Sequence, residues 1–156
     1  RGTLTVYIGD NWSMETADYG DRRIIKIRPK GTNVNAHGEL TVTFPETDRF
    51  DTKARLKMRV EIEGMKFAEQ SVEGKARGKE FSLVSGYGYY CSFTDPDLIG
   101  KPPQEGNFKT ISVGIIRLAA DVIVEVSINA DGFTSGPYNE LLGAIEGMEF
   151  KAGAGR

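Results

Sequence analysis

Apolar and polar side chains alternate most regularly between residues 80 and 129, and this stretch predicts the scaffold. Phe81, Leu83, Tyr87, Tyr89, Cys91 and Phe93 all fall on odd positions, so one parity builds an apolar strand face. Ser82, Gly86, Gly88 and Ser92 take the other parity, with Val84 and Tyr90 as exceptions. Further on, Ile111, Val113 and Ile115 share a face, and Val122, Val124, Val126 and Ile128 share another. The link from Arg117 to Asp121 is far shorter than the crossover of about a dozen residues that parallel strands need, so these two halves are expected to pair antiparallel.

Elsewhere the same alternation predicts strands over Leu4 to Ile8, Arg22 to Arg28 and Glu39 to Phe44, punctuated by Gly9-Asp10-Asn11, Pro29 and Pro45. Residues 50 to 68 divide evenly between two readings. Ala54, Leu56, Met58, Val60 and Ile62 alternate as in a strand, yet Arg, Leu, Lys, Met and Glu are good helix formers and Asp51 or Thr52 offers a cap. On a helix, Ala54, Met58, Ile62 and Met65 form one stripe. Glu69 to Lys79 reads as a loop, and so does Gly100 to Gly106. Tyr138, Leu141, Leu142 and Ile145 recur at helical spacing between a cap at Ser135 or Gly136 and a stop at Gly147. Met148 and Phe150 suggest a last short strand.

The 156 residues suit a single α+β domain over 1–152 with a flexible tail at 153–156. The expected fold is an antiparallel β-sheet of about seven strands flanked by two helices. A net charge of −2 offers no basic footprint for nucleic acid. No run approaches the ~18 apolar residues of a membrane helix. The single Cys91 excludes an internal disulfide. The chain begins at Arg1, as removal of an N-terminal segment by processing or truncation would leave it; a signal peptide there would mean export.

Candidate chemistry is sparse. His37 is the only imidazole, so any Ser-His or Cys-His couple would have to use it, but its turn-rich surroundings suit an ordinary surface histidine. Cys91, among same-parity aromatics, reads as a buried structural thiol. One Cys and one His disfavour zinc. Ser127, Asn129 and Asp131 have the spacing of a calcium loop, yet Tyr138 stands where the closing glutamate belongs. Asp95 and Asp97 flank a proline as turn residues do. Asn11-Trp12-Ser13 fits the glycosylation triplet, which matters only in a eukaryotic secretory route. No catalytic residue, metal site or cofactor is assigned. The one constellation kept for ligand binding is Trp12 with Tyr87, Tyr89 and Tyr90, because aromatics on a sheet face can line a cleft. Tyr90, on the opposite parity, is the one expected to be partly exposed.

The run Gly86-Tyr87-Gly88-Tyr89-Tyr90-Cys91-Ser92-Phe93-Thr94-Asp95, with Leu98 to Pro103, Phe108 to Ile115 and the helix from Tyr138 to Ile145, resembles a group of small exported bacterial proteins. They are similar in layout to the PsbP-like fold shared with DcrB-type lipoproteins. The resemblance covers about two thirds of the chain and brings no catalytic residues. It implies an antiparallel sheet flanked by helices, tips residues 50–67 towards helix, and implies a periplasmic or extracellular location. The functional expectation is a non-catalytic exported accessory protein that binds a protein partner or small ligand. The alternatives are a hydrolase using carboxylates or His37 and a structural subunit of a cell-envelope assembly.

Overall fold

The computed structural model describes residues 1–155 and shows an α+β fold dominated by antiparallel sheet. The strands are β1 (Gly2–Thr5), β2 (Trp12–Asp18), β3 (Arg22–Pro29), β4 (His37–Thr43), β5 (Lys79–Glu80), β6 (Tyr87–Thr94), β7 (Thr110–Ala119), β8 (Val122–Ala130) and β9 (Glu149–Ala152). Helix α1 (Lys53–Ala68) follows β4, and α2 (Gly136–Glu146) follows β8. Seven strands form one sheet in the order β2-β3-β4-β8-β7-β6-β5, and β1 pairs with β9 in a separate ribbon. Every pairing is antiparallel.

The β7–β8 hairpin runs as the short Arg117–Asp121 link requires, with a register shift between Arg117 and Ala119. Its apolar runs are nearly continuous because parts of both faces are covered. Ile116, Val122, Val124, Val126 and Ile128 join Ile25, Ile27, Leu40, Val42, Tyr138, Leu141 and Ile145 in the larger core under α2. Ile115 and Ile123 point the other way, to a smaller core with Leu56, Val60, Tyr89, Cys91 and Phe93 under α1. The two helices therefore lie on opposite faces of the sheet.

Residues 53–68 are helix, started by the Thr52 hydroxyl accepting from the Arg55 N–H at 3.2 Å. The buried stripe is not the expected one. Leu56, Val60, Gly64 and Ala68 face the sheet, whereas Met58, Ile62 and Met65 are 58%, 53% and 62% exposed. Small residues decide this. A Cβ on Gly64 would stand 3.1 Å from Ala76 and 3.3 Å from both the Cys91 sulfur and the Phe93 ring, so its absence lets α1 approach β6 closely.

Three further readings change. The strand expected over Leu4 to Ile8 is observed as β1, which starts two residues earlier, stops at Thr5 and pairs with β9. The edge strand β2 carries almost no apolar signal, because Glu15 to Asp18 are solvent-exposed. The run from Phe81 is interrupted: β6 starts only at Tyr87, after a turn through Gly86 at φ +72°. The reversal sends Phe81 and Leu83 to the α2 side. Of the expected tail, Gly153 donates its N–H to the Arg1 carbonyl at 2.9 Å, and Arg156 lies outside the described residues.

The two α1 stripes give opposite expectations. Leu56→Ala should cost about 2–5 kcal/mol in denaturant unfolding. Ile62→Ala should change stability by less than about 0.5 kcal/mol. The reverse ranking would mean that α1 is rotated on the sheet.

Candidate functional site

Helix α1 rests over β6 and β7 and covers only part of its side of the sheet. Beyond it, the outward positions of β4 and β8 turn polar. Glu39 and Thr41 on β4 stand opposite Ser127 and Glu125 on β8. The even-numbered residues between them, Leu40, Val42, Val124 and Val126, point into the core under α2. This is the alternation of a strand with one dry and one wet face.

A groove of about 350 Å3 follows the junction between helix and open sheet. Val60, Phe67, Val113 and Ile115 supply its apolar surface, and Glu39, Glu63, Glu125, Lys66, Thr41 and Ser127 supply polar groups. Glu63 accepts from Arg59 at 2.8 Å, and Glu39 lies 3.7 Å from His37. Glu125 has no cationic partner within 4.0 Å among the described residues. With Glu63 already paired to Arg59, Glu39 and Glu125 against Lys66 leave the groove a cation-accepting character. The crest of α1 beside it bears the exposed Met58, Ile62 and Met65.

The sheet separates the four aromatics expected to share a cleft. Trp12, at the start of β2, and Tyr90 belong to the α2-side core, while Tyr87 and Tyr89 face α1. Trp12 is buried and donates its indole N–H to Glu140 at 3.1 Å. Tyr89 is buried, and Tyr87 donates its hydroxyl to the Phe50 carbonyl beneath the Arg117 guanidinium. Tyr90 corrects its expected exposure: it is 5% exposed, with its ring 4.5 Å from Phe81. Burial pushes its phenol up to about 12, with Tyr138 and Glu146 adding to the effect. Parity read Tyr90 onto the opposite face correctly, but nothing local signals that a distant helix covers that face.

The reactive groups are kept apart. Cys91 on β6 and His37 on β4 are separated by β8 and β7, about 14 Å at normal strand spacing. Burial drives the His37 imidazole below its ordinary value, helped by Arg28 and opposed by Glu39. Asp95 accepts from the Asp97 N–H at 2.9 Å in the turn read from sequence. Asp131 instead accepts from Asn35 Nδ2, which also donates to the Gln104 and Asn107 carbonyls. Among the described residues, no three or more His, Cys, Asp or Glu side chains come close enough to hold a metal ion, and no helix is long and apolar enough to cross a membrane. No family model, curated protein or solved structure matches the chain.

Burial also pushes the Cys91 thiol up to about 11, with Glu61 a smaller contribution. The folded state thus favours the neutral thiol. Its contribution to stability is complete below the ordinary value of 9.0 and is lost as pH rises through about 11. A disulfide reagent at pH 8 should leave Cys91 unmodified until the protein is unfolded; rapid labelling of native protein would contradict the buried thiol.

Proposed function

We propose that the protein is a non-catalytic exported accessory protein and that it recognises a protein partner through the crest of α1 and the adjoining open sheet. The observation that carries this reading is the exposed row Met58, Ile62 and Met65 on a helix already anchored through its other side. Exposed apolar side chains that contribute nothing to the fold are where association gains free energy, and methionine adapts its shape to a partner. The groove supplies selectivity, since a Lys or Arg of the partner lying over Val113 and Phe67 would meet Glu39 and Glu125. A small ligand held among Trp12, Tyr87, Tyr89 and Tyr90 is less well supported, because these side chains face two different cores. Export rests on the resemblance to PsbP-like proteins, and fractionation of the native cell tests it.

Charge reversal at the groove and polarity at the crest provide the direct test. Ile62→Glu and the pair Glu39→Lys with Glu125→Lys should leave the melting temperature within a few degrees of the parent, because none of these side chains is buried in a core. Each should weaken partner capture from the native compartment by about tenfold or more. Undiminished capture by both variants would rule out this surface.

A further inference from the structure

A second surface lies on the opposite face, at the β5–β6 edge of the sheet. Residues 74–78 run beside β6 without pairing to it, and the segment is fastened from the α1 side. Ala76 packs against α1 near Gly64, and the Gly78 N–H donates to Glu61 at 2.8 Å. Since these even-numbered residues turn towards α1, alternation sends Lys75, Arg77 and Lys79 to the other side. There the three cations line an open cleft of about 550 Å3 with Glu73, Tyr90 and Ser92, two net positive charges in all.

The carboxylates nearest the three cations, Glu73 of the cleft lining among them, are hydrogen-bonded to other groups. Glu73 accepts from the Thr94 N–H at 2.8 Å and from its hydroxyl at 2.7 Å. Glu80 accepts from Lys53 at 2.7 Å, and Glu61 holds the Gly78 N–H. None of Lys75, Arg77 and Lys79 has an ion-pair partner among the described residues. Three like charges at alternate positions of a fastened extended segment repel one another, and an anion between them would remove that cost. The cleft adds hydrogen-bonding capacity. Tyr90 is 95% buried by its 5% exposure, and its hydroxyl makes no side-chain hydrogen bond among the described residues. Like any tyrosine phenol it is protonated across the physiological range and can donate, and burial pushes its titration further up. Ser92 shares the parity of Gly88 and Thr94, whose carbonyls accept from the Phe81 and Val72 N–H groups across this edge, so its backbone also faces the cleft.

We propose that Lys75, Arg77 and Lys79 form a binding site for a small ligand bearing two or more oxyanion groups, either phosphates or carboxylates. The arginine offers a planar fork to one oxyanion and the lysines supply mobile point charges. The cleft volume lies within the usual range for small-molecule sites. This site is independent of the α1 surface, from which the sheet divides it.

Titration calorimetry of the full chain with pyrophosphate and, separately, citrate tests the proposal. Saturable one-to-one binding is expected for at least one of them, and the stronger of the two distinguishes a phosphate from a carboxylate ligand. Arg77→Ala should weaken it about tenfold, and the triple change Lys75→Ala, Arg77→Ala, Lys79→Ala should abolish it with the circular-dichroism spectrum unchanged. A control triple at the exposed cations Lys30, Arg49 and Lys101 should retain parental affinity. Absence of saturable binding by both probes, equal loss in the control, or binding that survives Arg77→Ala unchanged would overturn the assignment.

Discussion

The antiparallel pairing of β7 with β8 is the constraint on which the rest of the molecule depends. The hairpin lies at the centre of the main sheet and contributes to both cores. Ile116, Val124 and Ile128 are essentially fully buried on one side, and Ile115 and Ile123 are buried on the other. Removing such side chains from water contributes about 1.5–3 kcal/mol each. Because strand side chains alternate strictly, a slip of one residue would exchange these two sets and turn Glu125 and Ser127 into the α2-side core. Register, helix placement and the polarity of the open face are therefore one problem with one solution.

The unequal cover of the two faces follows from the helices. On the α2 side, side chains from β3, β4, β8, β7 and β6 join a single core, supplemented from the β1–β9 ribbon by Leu4 and Phe150. Helix α1 settles over β6 and β7, where Gly64 and Ala68 allow close approach, and β4 and β8 remain open beside it. Polar residues on those two strands are what an uncovered sheet face requires. Their concentration of carboxylates beside an apolar helix crest goes beyond that requirement, and the proposed partner surface rests on it.

Much of the fold is legible locally, and its failures have physical causes. The alternation of 122–128, the short hairpin link and the cap-to-stop pattern of α2 survive intact, since each depends on neighbours in sequence. The even positions of 54–62 satisfy a period of two and a spacing of four at once, so strand and helix compete there. Once the segment is helical, the choice between the 56/60 and 58/62 stripes rests on Gly64 and Ala68, which carry little apolar signal. β2 escapes because solvent bathes both sides of Glu15 to Asp18. The groove could not be read at all: it depends on where α1 lies across strands that are distant in sequence. The cation row at 75, 77 and 79 is visible as residues, but its common orientation requires the anchoring of Ala76 and Gly78 to α1.

The central proposal is that recognition of the protein partner belongs to the α1 side of the molecule. Site-specific photo-crosslinking in the native cell tests it most directly, with the photoreactive residue placed at Ile62, at Ser127 or at Asn139 on the exposed side of α2. The account predicts a common crosslinked partner from Ile62 and Ser127 and none from Asn139. A partner captured from Asn139 alone would contradict it and move the partner surface to the opposite face.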